Sequence, residues 1–423
     1  MRNEKLEMRK EMNLKEEDVE FSRWANGGAA LGNLADGRVV FAKGILPGER
    51  ARVRYADREA RFISAEPVKL LSRSPMRIEP RCPLYGKCAV CCLQNLEYPD
   101  QLHAKREILI DHLTRIAGLK DAEKLVQPMI GAPAEWNYAR DLHLWLDDDG
   151  NFCLPDEKGD PLRLEAYCPI TAECLNDALA SFTFEPGSGI GEVEFRAGDD
   201  DGIQLILKGE SDKPEDEMEN DTEISVVYQG PGSSWVMAGV STLCQTAAGL
   251  PVCASDSSPF MRNPAVLDRL TEKLLPLLSG AENAELLDIH CGTGFWSRWF
   301  GERCRTVNAL MEDESLCEDF VYNLDPLDNV SLYIGSLAEI LPGLPVPANE
   351  WVLIEGGSTG LSETDITGIC GRAPKKILAL YSDAAILARD LKRLTDAGRR
   401  VSAVLPFDPA PQTAALGAVV ILE

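Results

Sequence analysis

Residues 285–295 read ELLDIHCGTGF, and this segment predicts how the second half of the chain folds. Glu285–Ile289 has the apolar character of a buried strand, and Gly292 and Gly294 follow it in a turn that leads into a helix. Glycines in such a turn let backbone N–H groups approach a nucleotide-bearing ligand at the start of the helix. A lone GxG pattern is common in proteins. It indicates a ligand-binding turn here because a predicted strand precedes it and because strands and helices alternate in the surrounding sequence.

Helices and apolar strands alternate on both sides of this segment. An amphipathic helix is predicted over 266–278. The later strand candidates are Arg305–Leu310, Val330–Ile334, Glu350–Ile354 and Lys376–Leu380, followed by a hairpin of Val401–Leu405 and Ala418–Leu422. The alternation predicts a doubly wound, Rossmann-like α/β domain over 256–423.

The chain before residue 256 is predicted to be mainly β-structure. Residues 1–17 are a charged lead-in, and 18–73, with short strands between glycine turns, predict an oligonucleotide-binding-like β-barrel. Residues 74–255 predict a cysteine-rich loop, a helix over 99–118 and an antiparallel β domain with strands at 142–146, 203–207 and 224–228. The acidic segment Glu210–Glu223 predicts an exposed loop.

Charge is distributed unevenly along the chain. The 423 residues carry a formal net charge of −25, which argues against a protein that coats nucleic acid or anionic membrane with its whole surface. Between Arg38 and Arg81, however, eleven basic and five acidic residues give a net charge of +6. This segment is interpreted either as a solvated barrel surface or as a face that binds RNA, and DNA is not expected as a partner. The candidate RNA-binding residues are Arg38, Lys43, Arg50, Arg52, Arg54, Arg58 and Arg61.

Neither a signal peptide nor a membrane span is predicted. The first twenty residues are densely charged, and no run of about 18 apolar residues occurs, so a cytoplasmic protein without membrane contact is expected. The thirteen cysteines are then expected to be reduced thiols or metal ligands rather than a disulfide framework.

Three of these cysteines form a motif. Residues 81–98 read RCPLYGKCAVCCLQNLEY, in which Cys82, Cys88 and Cys91 have the spacing C-x5-C-x2-C. Three thiolates so close in sequence can surround one soft metal centre, and Cys168 is the best candidate for a fourth ligand. An iron–sulfur cluster, a tetrahedral zinc ion and a set of buried thiols are the three interpretations that stay open.

Taken together, these features resemble the RNA uracil-5-methyltransferase family. The resemblance covers residues 19–423 and rests on LPGE at 46–49, PRCP at 80–83, the cysteine motif and DIHCGTG at 288–294. It implies a TRAM-type barrel, a [4Fe–4S] cluster held by the four cysteines, and an adenosylmethionine-dependent class I methyltransferase domain. It also implies a monomer.

The resemblance also places the functional residues, and several positions depart from the family pattern. Cofactor-binding positions correspond to Asp288, Gly292, Gly294, Glu312 and Glu355. The cysteine nucleophile that would add to uracil C6 corresponds to Ser382, and the glutamate base that would remove the C5 proton corresponds to Gly417. A hydroxyl is a much poorer nucleophile than a thiolate for this addition.

Two hypotheses follow from these substitutions. The protein is either an RNA (uracil-C5) methyltransferase acting on rRNA or tRNA, or a catalytically inactive relative that binds RNA, a ligand or a partner protein. The sequence identifies neither the RNA nor the modified nucleotide.

Overall fold

The computed structural model describes residues 14–57, 60–165, 167–199, 202–214, 224–357 and 359–423. The chain divides into two compact units. The first contains Met1–Ile108 and Gln412–Ala414, and the second contains Leu109–Pro411 and Ala415–Glu423. Within the described ranges, no helix is both long enough and apolar enough to cross a membrane.

The first unit is built on a six-stranded sheet. Along β4, buried and exposed residues alternate, which puts Ala51, Val53 and Tyr55 into the core with Val19 and Phe21. The strands are β1 (Leu14–Trp24), β2 (Ala30–Asn33), β3 (Val39–Ala42), β4 (Arg50–Ala56), β5 (Phe62–Ser64) and β6 (Glu66–Ser72), in the order β5-β3-β2-β1-β4-β6. All neighbours are antiparallel except β3 and β5.

The predicted lead-in was wrong at its end, because Leu14–Glu17 already belongs to β1. These residues pair with Val53–Ala56 of β4, so their high charge does not prevent strand formation. The earlier residues of the lead-in lie outside the described ranges.

The cysteine-rich segment follows this sheet and is held by a buried ion pair. The Glu49 carboxylate, with no exposed surface, accepts hydrogen bonds from the backbone N–H of Leu46 and Ser74 and pairs with Arg77. The Tyr85 hydroxyl donates to the Cys92 carbonyl oxygen at 2.8 Å. Helix α1 (Tyr98–Arg115) comes next, and it ends before Gly118, whose φ of 73° is unsuited to a helix.

The second unit contains two seven-stranded sheets and a separate hairpin. The first sheet has the order β13-β12-β11-β10-β7-β8-β9, in which only β11 and β12 are parallel. Its strands are β7 (Asp141–Leu146), β8 (Phe152–Pro155), β9 (Pro161–Arg163), β10 (Ile190–Ala197), β11 (Ile203–Gly209), β12 (Ser225–Gln229) and β13 (Ser234–Ala238). The hairpin consists of β14 (Thr242–Ala247) and β15 (Leu250–Ser255). The three strands predicted in this region are confirmed.

The second large sheet has the predicted doubly wound topology. Its order is β18-β17-β16-β19-β20-β22-β21, parallel throughout except that β22 runs antiparallel to β20 and β21. The strands are β16 (Glu285–Ile289), β17 (Thr306–Met311), β18 (Val330–Ile334), β19 (Glu350–Glu355), β20 (Lys376–Tyr381), β21 (Val401–Phe407) and β22 (Gly417–Leu422). Parallel strands covered on both faces read as continuous apolar runs, which is why their positions were predictable.

The helices of the second unit pack on both of its large sheets. In chain order the remaining helices are α2 (Ala122–Leu125), α3 (Glu173–Ser181), α4 (Ala265–Leu274), α5 (Phe295–Gly301), α6 (Cys317–Leu324), α7 (Leu337–Ile340), α8 (Glu363–Gly371) and α9 (Ala384–Asp396). Helix α4 is shorter than predicted because Pro276 lacks an N–H, and Leu275–Leu277 forms a 3-10 turn instead. Trp296, Trp299 and Phe300 from α5 lie in the core beside β16 and β17.

Candidate cofactor-binding and active site

The carboxyl ends of β16 and β19 mark the point where the strand order reverses. β17 and β18 lie on one side of β16, and β19 and β20 lie on the other. Connections from β16 and β19 therefore leave the sheet in opposite directions, and the crevice between them is where open α/β sheets bind ligands.

The glycine turn after β16 is shaped by three positive φ angles. His290, Gly292 and Gly294 have φ of 61°, 52° and 91°. A side chain at Gly294 would collide with Leu324, so this glycine lets the turn pack against α6. At Gly292, by contrast, a Cβ would meet no described atom within 4 Å, which leaves the backbone open to a ligand. The turn therefore fits the predicted cofactor-binding role of both glycines.

Two carboxyl groups lie at the ends of the neighbouring strands, and Asp288 is fully buried whereas Glu355 is half-buried. Asp288 accepts a hydrogen bond from the Ser297 hydroxyl at 2.5 Å through Oδ2, whereas Asp288 Oδ1 and Glu355 Oε1 have no hydrogen-bond partner among the described residues. Burial raises the pKa of Asp288 to about 7. Burial and the nearby Asp288 carboxylate raise the pKa of Glu355 well above its usual range.

Such a pair is complementary to a cationic group. Buried polar atoms are normally hydrogen-bonded, and two facing carboxylates repel each other unless a proton or a cation lies with them. Adenosylmethionine carries a sulfonium and an ammonium group, so the pair and the glycine turn fit that cofactor. Glu312, the third predicted acidic position, is exposed and follows β17 at the same edge of the sheet.

Ser382 lies between β20 and α9 and is exposed. The next residue, Asp383, caps the helix by accepting hydrogen bonds from the backbone N–H of Ala385 and Ile386, both at 2.8 Å. Tyr381, the residue before Ser382, occupies the space beside Gly356, where any side chain would collide with its ring. The exposed hydroxyl of Ser382 is thus held at a fixed strand-to-helix junction.

Gly417 is the first residue of β22 and faces an aromatic ring. A Cβ at Gly417 would overlap the ring of Phe407, its neighbour across the β21–β22 pair. The nearby carboxylate, Asp408, is fully buried and accepts a hydrogen bond from the Ala410 N–H at 3.0 Å. Phe407 thus fills the space that a glutamate side chain at Gly417 would need.

The sequence and structure were compared with known proteins. No protein-family model matches the chain. An uncharacterised RNA methyltransferase of Streptomyces coelicolor is 27% identical over 96% of this chain and 93% of its own length. The 23S rRNA (uracil(1939)-C(5))-methyltransferase RlmD of Vibrio parahaemolyticus is 24% identical over 98% of this chain and 97% of its own. The chain is therefore similar over nearly its whole length to RNA methyltransferases, among them one that acts on C5 of a uracil in 23S rRNA.

A solved structure agrees with this relationship at the level of the fold. The tRNA (uracil-54, C5)-methyltransferase of Pyrococcus abyssi, determined with S-adenosyl-L-homocysteine, superimposes with a TM-score of 0.73. The match covers 96% of this chain and 99% of the archaeal protein at 19% identity. The half-barrel N-terminal sheet and the C-terminal methyltransferase fold are therefore shared with that protein.

The predicted cluster ligands are distributed over both units. Cys82, Cys88 and Cys91 belong to the first unit, and Cys168 belongs to the second. Across the part of the chain that the structure describes, no group of three or more His, Cys, Asp or Glu side chains is arranged to hold a metal ion. The cluster therefore stays a prediction from spacing and family resemblance.

The remaining cysteines give one correction. Cys244 and Cys253 form a disulfide, so the expectation that the cysteines are reduced thiols or metal ligands was wrong for this pair. The expectation failed because it considered the cellular compartment alone, and the two residues lie directly opposite each other in the β14–β15 hairpin. The Cys291 thiol is buried, and burial raises its pKa, so it is a poor nucleophile.

The basic face predicted on the N-terminal sheet is paired with acidic residues. Arg52 lies opposite Asp18 at 2.7 Å, and Arg54 lies opposite Glu16 at 2.6 Å. These acids belong to β1, which the charge count from Arg38 onward omitted. Residues 14–81 contain 13 basic and 10 acidic residues, a net charge of only +3.

The other predicted basic residues have different surroundings. Arg38 pairs with Asp36 and Asp57, Arg50 lies 4.0 Å from Asp18, and the guanidinium of Arg61 lies 5.4 Å from the ring centre of Phe62. Lys43 is exposed, and Arg58 lies outside the described ranges. For Arg52 and Arg54, cross-strand charge pairing was the signal in the sequence that could have revealed the partners.

Proposed function

We propose that this protein is an adenosylmethionine-binding RNA methyltransferase of the uracil-C5 type, with rRNA or tRNA as substrate. The observation that carries the proposal is the glycine turn and the Asp288–Glu355 pair at the strand-order reversal. The extent of similarity to RNA methyltransferases, 96% to 98% of the chain, supports it.

The chain's own residues would hold the cofactor and the uracil. Backbone N–H groups at Gly292 and Gly294 would bind the cofactor, and Asp288 and Glu355 would face its positive charge. Glu312 would accept hydrogen bonds from its ribose hydroxyls. The bound cofactor would supply the methyl group.

Uracil chemistry then depends on Ser382. Addition of a nucleophile at C6 makes C5 reactive, and loss of the C5 proton allows the nucleophile to leave. By resemblance, the exposed Ser382 would supply the hydroxyl that adds to C6. Gly417 has no side chain to act as a base, so the C5 proton would have to pass to solvent water.

A second candidate function is favoured by the packing of Phe407 against Gly417. With a glycine at the base position and a serine at the nucleophile position, the chain would bind cofactor or RNA without transferring a methyl group. Its N-terminal domain (18–73), middle domain (74–255) and methyltransferase-like domain (256–423) would then serve as a monomeric cytoplasmic binding protein.

One assay distinguishes the two candidates. Full-length protein is incubated with labelled adenosylmethionine and either rRNA or tRNA, and labelled C5-methyluridine is measured by chromatography. Transfer that disappears in Ser382→Ala and increases in Ser382→Cys supports the methyltransferase. If neither the natural chain nor Ser382→Cys transfers label while both bind adenosylhomocysteine in calorimetry, the binding function is supported. Absence of adenosylhomocysteine binding contradicts both.

We further propose that Cys82, Cys88, Cys91 and Cys168 bind a [4Fe–4S] cluster. The C-x5-C-x2-C spacing and the family resemblance support this proposal. Iron and sulfide analysis of protein purified without oxygen tests the proposal. Zinc in place of iron, or no metal at all, would contradict it.

A further inference from the structure

The β14–β15 hairpin contains a disulfide in an unusual setting. Cys244 and Cys253 face each other in a register of six residue pairs that runs from Thr242 opposite Ser255 to Ala247 opposite Leu250. The turn consists of two residues, Ala248 and Gly249, with φ of 49° and 76°, as two-residue hairpins require. Backbone pairing therefore holds the two strands in register whether or not the sulfur atoms are bonded, so the bond can open without loss of the hairpin.

Both cysteines line a surface cavity of about 820 Å³. Helix α6 forms the opposite wall with Cys317, Val321 and Tyr322, and Val321 and Tyr322 are 57% and 65% exposed. Cys253 itself is only 5% exposed, so a reagent reaches the disulfide through this cavity. The lining is mainly apolar carbon, and a thiol compound can enter it.

A single side chain links Cys253 to the glycine turn. Asn323, 2% exposed, accepts a hydrogen bond from the Cys253 N–H at 2.8 Å and donates to the Cys253 carbonyl oxygen at 2.9 Å. The same side-chain amide donates to the carbonyl oxygen of Thr293 at 2.9 Å. Thr293 lies between the two glycines of the proposed cofactor-binding turn. A shift of the Cys253 backbone is therefore transmitted to that turn.

A second contact strengthens the link. Arg298 from α5 donates to the carbonyl oxygens of Pro251 on β15 and Asn323 on α6, at 2.9 and 3.1 Å. The Asp319 carboxylate accepts hydrogen bonds from both the N–H and the hydroxyl of Ser255. Strand β15, α5 and α6 thus form one hydrogen-bonded assembly around the cavity.

We propose that Cys244–Cys253 is a redox-active disulfide, reduced by a dithiol that enters the cavity, and that its reduction loosens the glycine turn through Asn323. A thiolate of the dithiol attacks one cysteine sulfur, which breaks the Cys244–Cys253 bond and forms a mixed disulfide. The second thiol of the reductant then attacks the reductant's own sulfur in the mixed disulfide and displaces the cysteine that is still bound to it. The protein gains two electrons and two protons, and the dithiol becomes a cyclic disulfide. The effect on cofactor binding rests on the proposed function, whereas the redox reaction does not.

Differential alkylation tests the redox step. Full-length protein is equilibrated with oxidised or reduced dithiothreitol, labelled with a maleimide and analysed by peptide mass spectrometry. Cys317 reports whether the reagent enters the cavity and is expected to be labelled in both conditions. Cys244 and Cys253 are expected to be labelled only after reduction, and protection must return on reoxidation. Equal labelling of the pair in both conditions would overturn the proposal.

Hydrogen–deuterium exchange tests the link to the glycine turn. Reduction is expected to accelerate amide exchange in residues 291–295 about tenfold, and Cys253→Ser should reproduce the effect without a reductant. Cys370→Ser, in α8 and outside the cavity, is the matched control and should leave exchange unchanged. If Cys253→Ser does not fold, Cys244→Ser replaces it. Unaltered exchange in 291–295 after proven reduction would refute the link, and this readout needs no bound cofactor.

Discussion

Replacing Asp288 by asparagine is expected to stabilise the ligand-free protein at neutral and alkaline pH. The Asp288 carboxyl is completely buried, and only one of its oxygens has a hydrogen-bond partner, the Ser297 hydroxyl. The carboxyl group of Glu355, whose Oε1 atom is buried, interacts electrostatically with it. Ionising Asp288 therefore places a negative charge in a poorly solvated site beside another acidic group.

The size of the effect follows from the pKa. Burial raises the pKa of Asp288 from 3.8 to about 7. At about 1.4 kcal/mol for each pKa unit, the raised value corresponds to about 4 kcal/mol. Between these two pH values the folded state holds a proton that the unfolded chain has lost. Stability therefore decreases as pH rises through this window, and the full loss is reached above the folded-state pKa.

Replacing Asp288 by asparagine removes this pH dependence of stability but introduces a group that needs a new hydrogen-bond partner. Its side-chain oxygen can still accept the hydrogen bond from Ser297, but its new N–H group needs a partner, which we expect to be the Glu355 carboxylate. Allowing about 2 kcal/mol for imperfect hydrogen bonding, Asp288→Asn gains about 2 kcal/mol at pH values above the folded-state pKa. Below it, the substitution is expected to be neutral or slightly destabilising.

Thermal unfolding followed by tryptophan fluorescence measures this difference. Trp296, Trp299 and Trp351 are buried in the same core as β16, so the signal reports this domain. The gain corresponds to a Tm increase of about 4–8 °C at about pH 8, and no increase is expected at about pH 5. Asp390→Asn is the matched control, since this buried carboxylate pairs with Arg389 and Arg393 and its replacement should lower Tm. A Tm for Asp288→Asn below that of the natural chain at alkaline pH would refute the reasoning.

Three further predictions concern packing, linkage and charge. Gly417→Glu should lower the free energy of unfolding in urea by about 2–3 kcal/mol, because the new side chain overlaps Phe407. The double variant Gly417→Glu with Phe407→Ala should lose less free energy than the sum of the two single variants, and strict additivity would contradict the overlap. Asn323→Ala should lower the free energy of unfolding by about 3 kcal/mol in the same measurement, because three backbone groups lose their hydrogen-bond partner. A loss below about 1 kcal/mol would show that water replaces these hydrogen bonds. Asp18→Asn should free Arg52 and steepen the salt dependence of RNA binding by about one counterion in filter-binding assays; an unchanged slope would show that RNA does not contact this face.

Much of the fold was predictable because it depends on local pattern. The strand Glu285–Ile289 and its glycine turn were located from apolar character and glycine spacing, and the structure has the strand at the same residues. Helix ends were less predictable, because the loss of a single backbone hydrogen bond can end a helix. Pro276 lacks an N–H group, and α4 ends before it. The charge of the N-terminal sheet was misjudged because Asp18 and Arg52 are distant in sequence and meet only through strand pairing.

The candidate site, like the fold, was predictable only in part. Asp288, Glu355 and Ser382 could be chosen from order and resemblance, since each follows or ends a recognisable strand. The acid–base behaviour of these residues could not be predicted from the sequence, because the pKa of a carboxyl group depends on everything packed around it. The overlap of Phe407 with Gly417 likewise requires the register of two antiparallel strands.

The sequence by itself determined the strand order along the chain, the glycine turn and the cysteine spacing, and it predicted by resemblance which residues stand at the catalytic positions. These features depend on residue type and on neighbours within a few positions, so periodicity and motif spacing reveal them. Only the tertiary structure decided that Asp288 and Glu355 interact electrostatically, that Cys244 bonds to Cys253, and that Arg52 and Arg54 of β4 pair with acidic residues of β1. These properties arise from contacts between distant segments, and such contacts exist only after the sheets have formed.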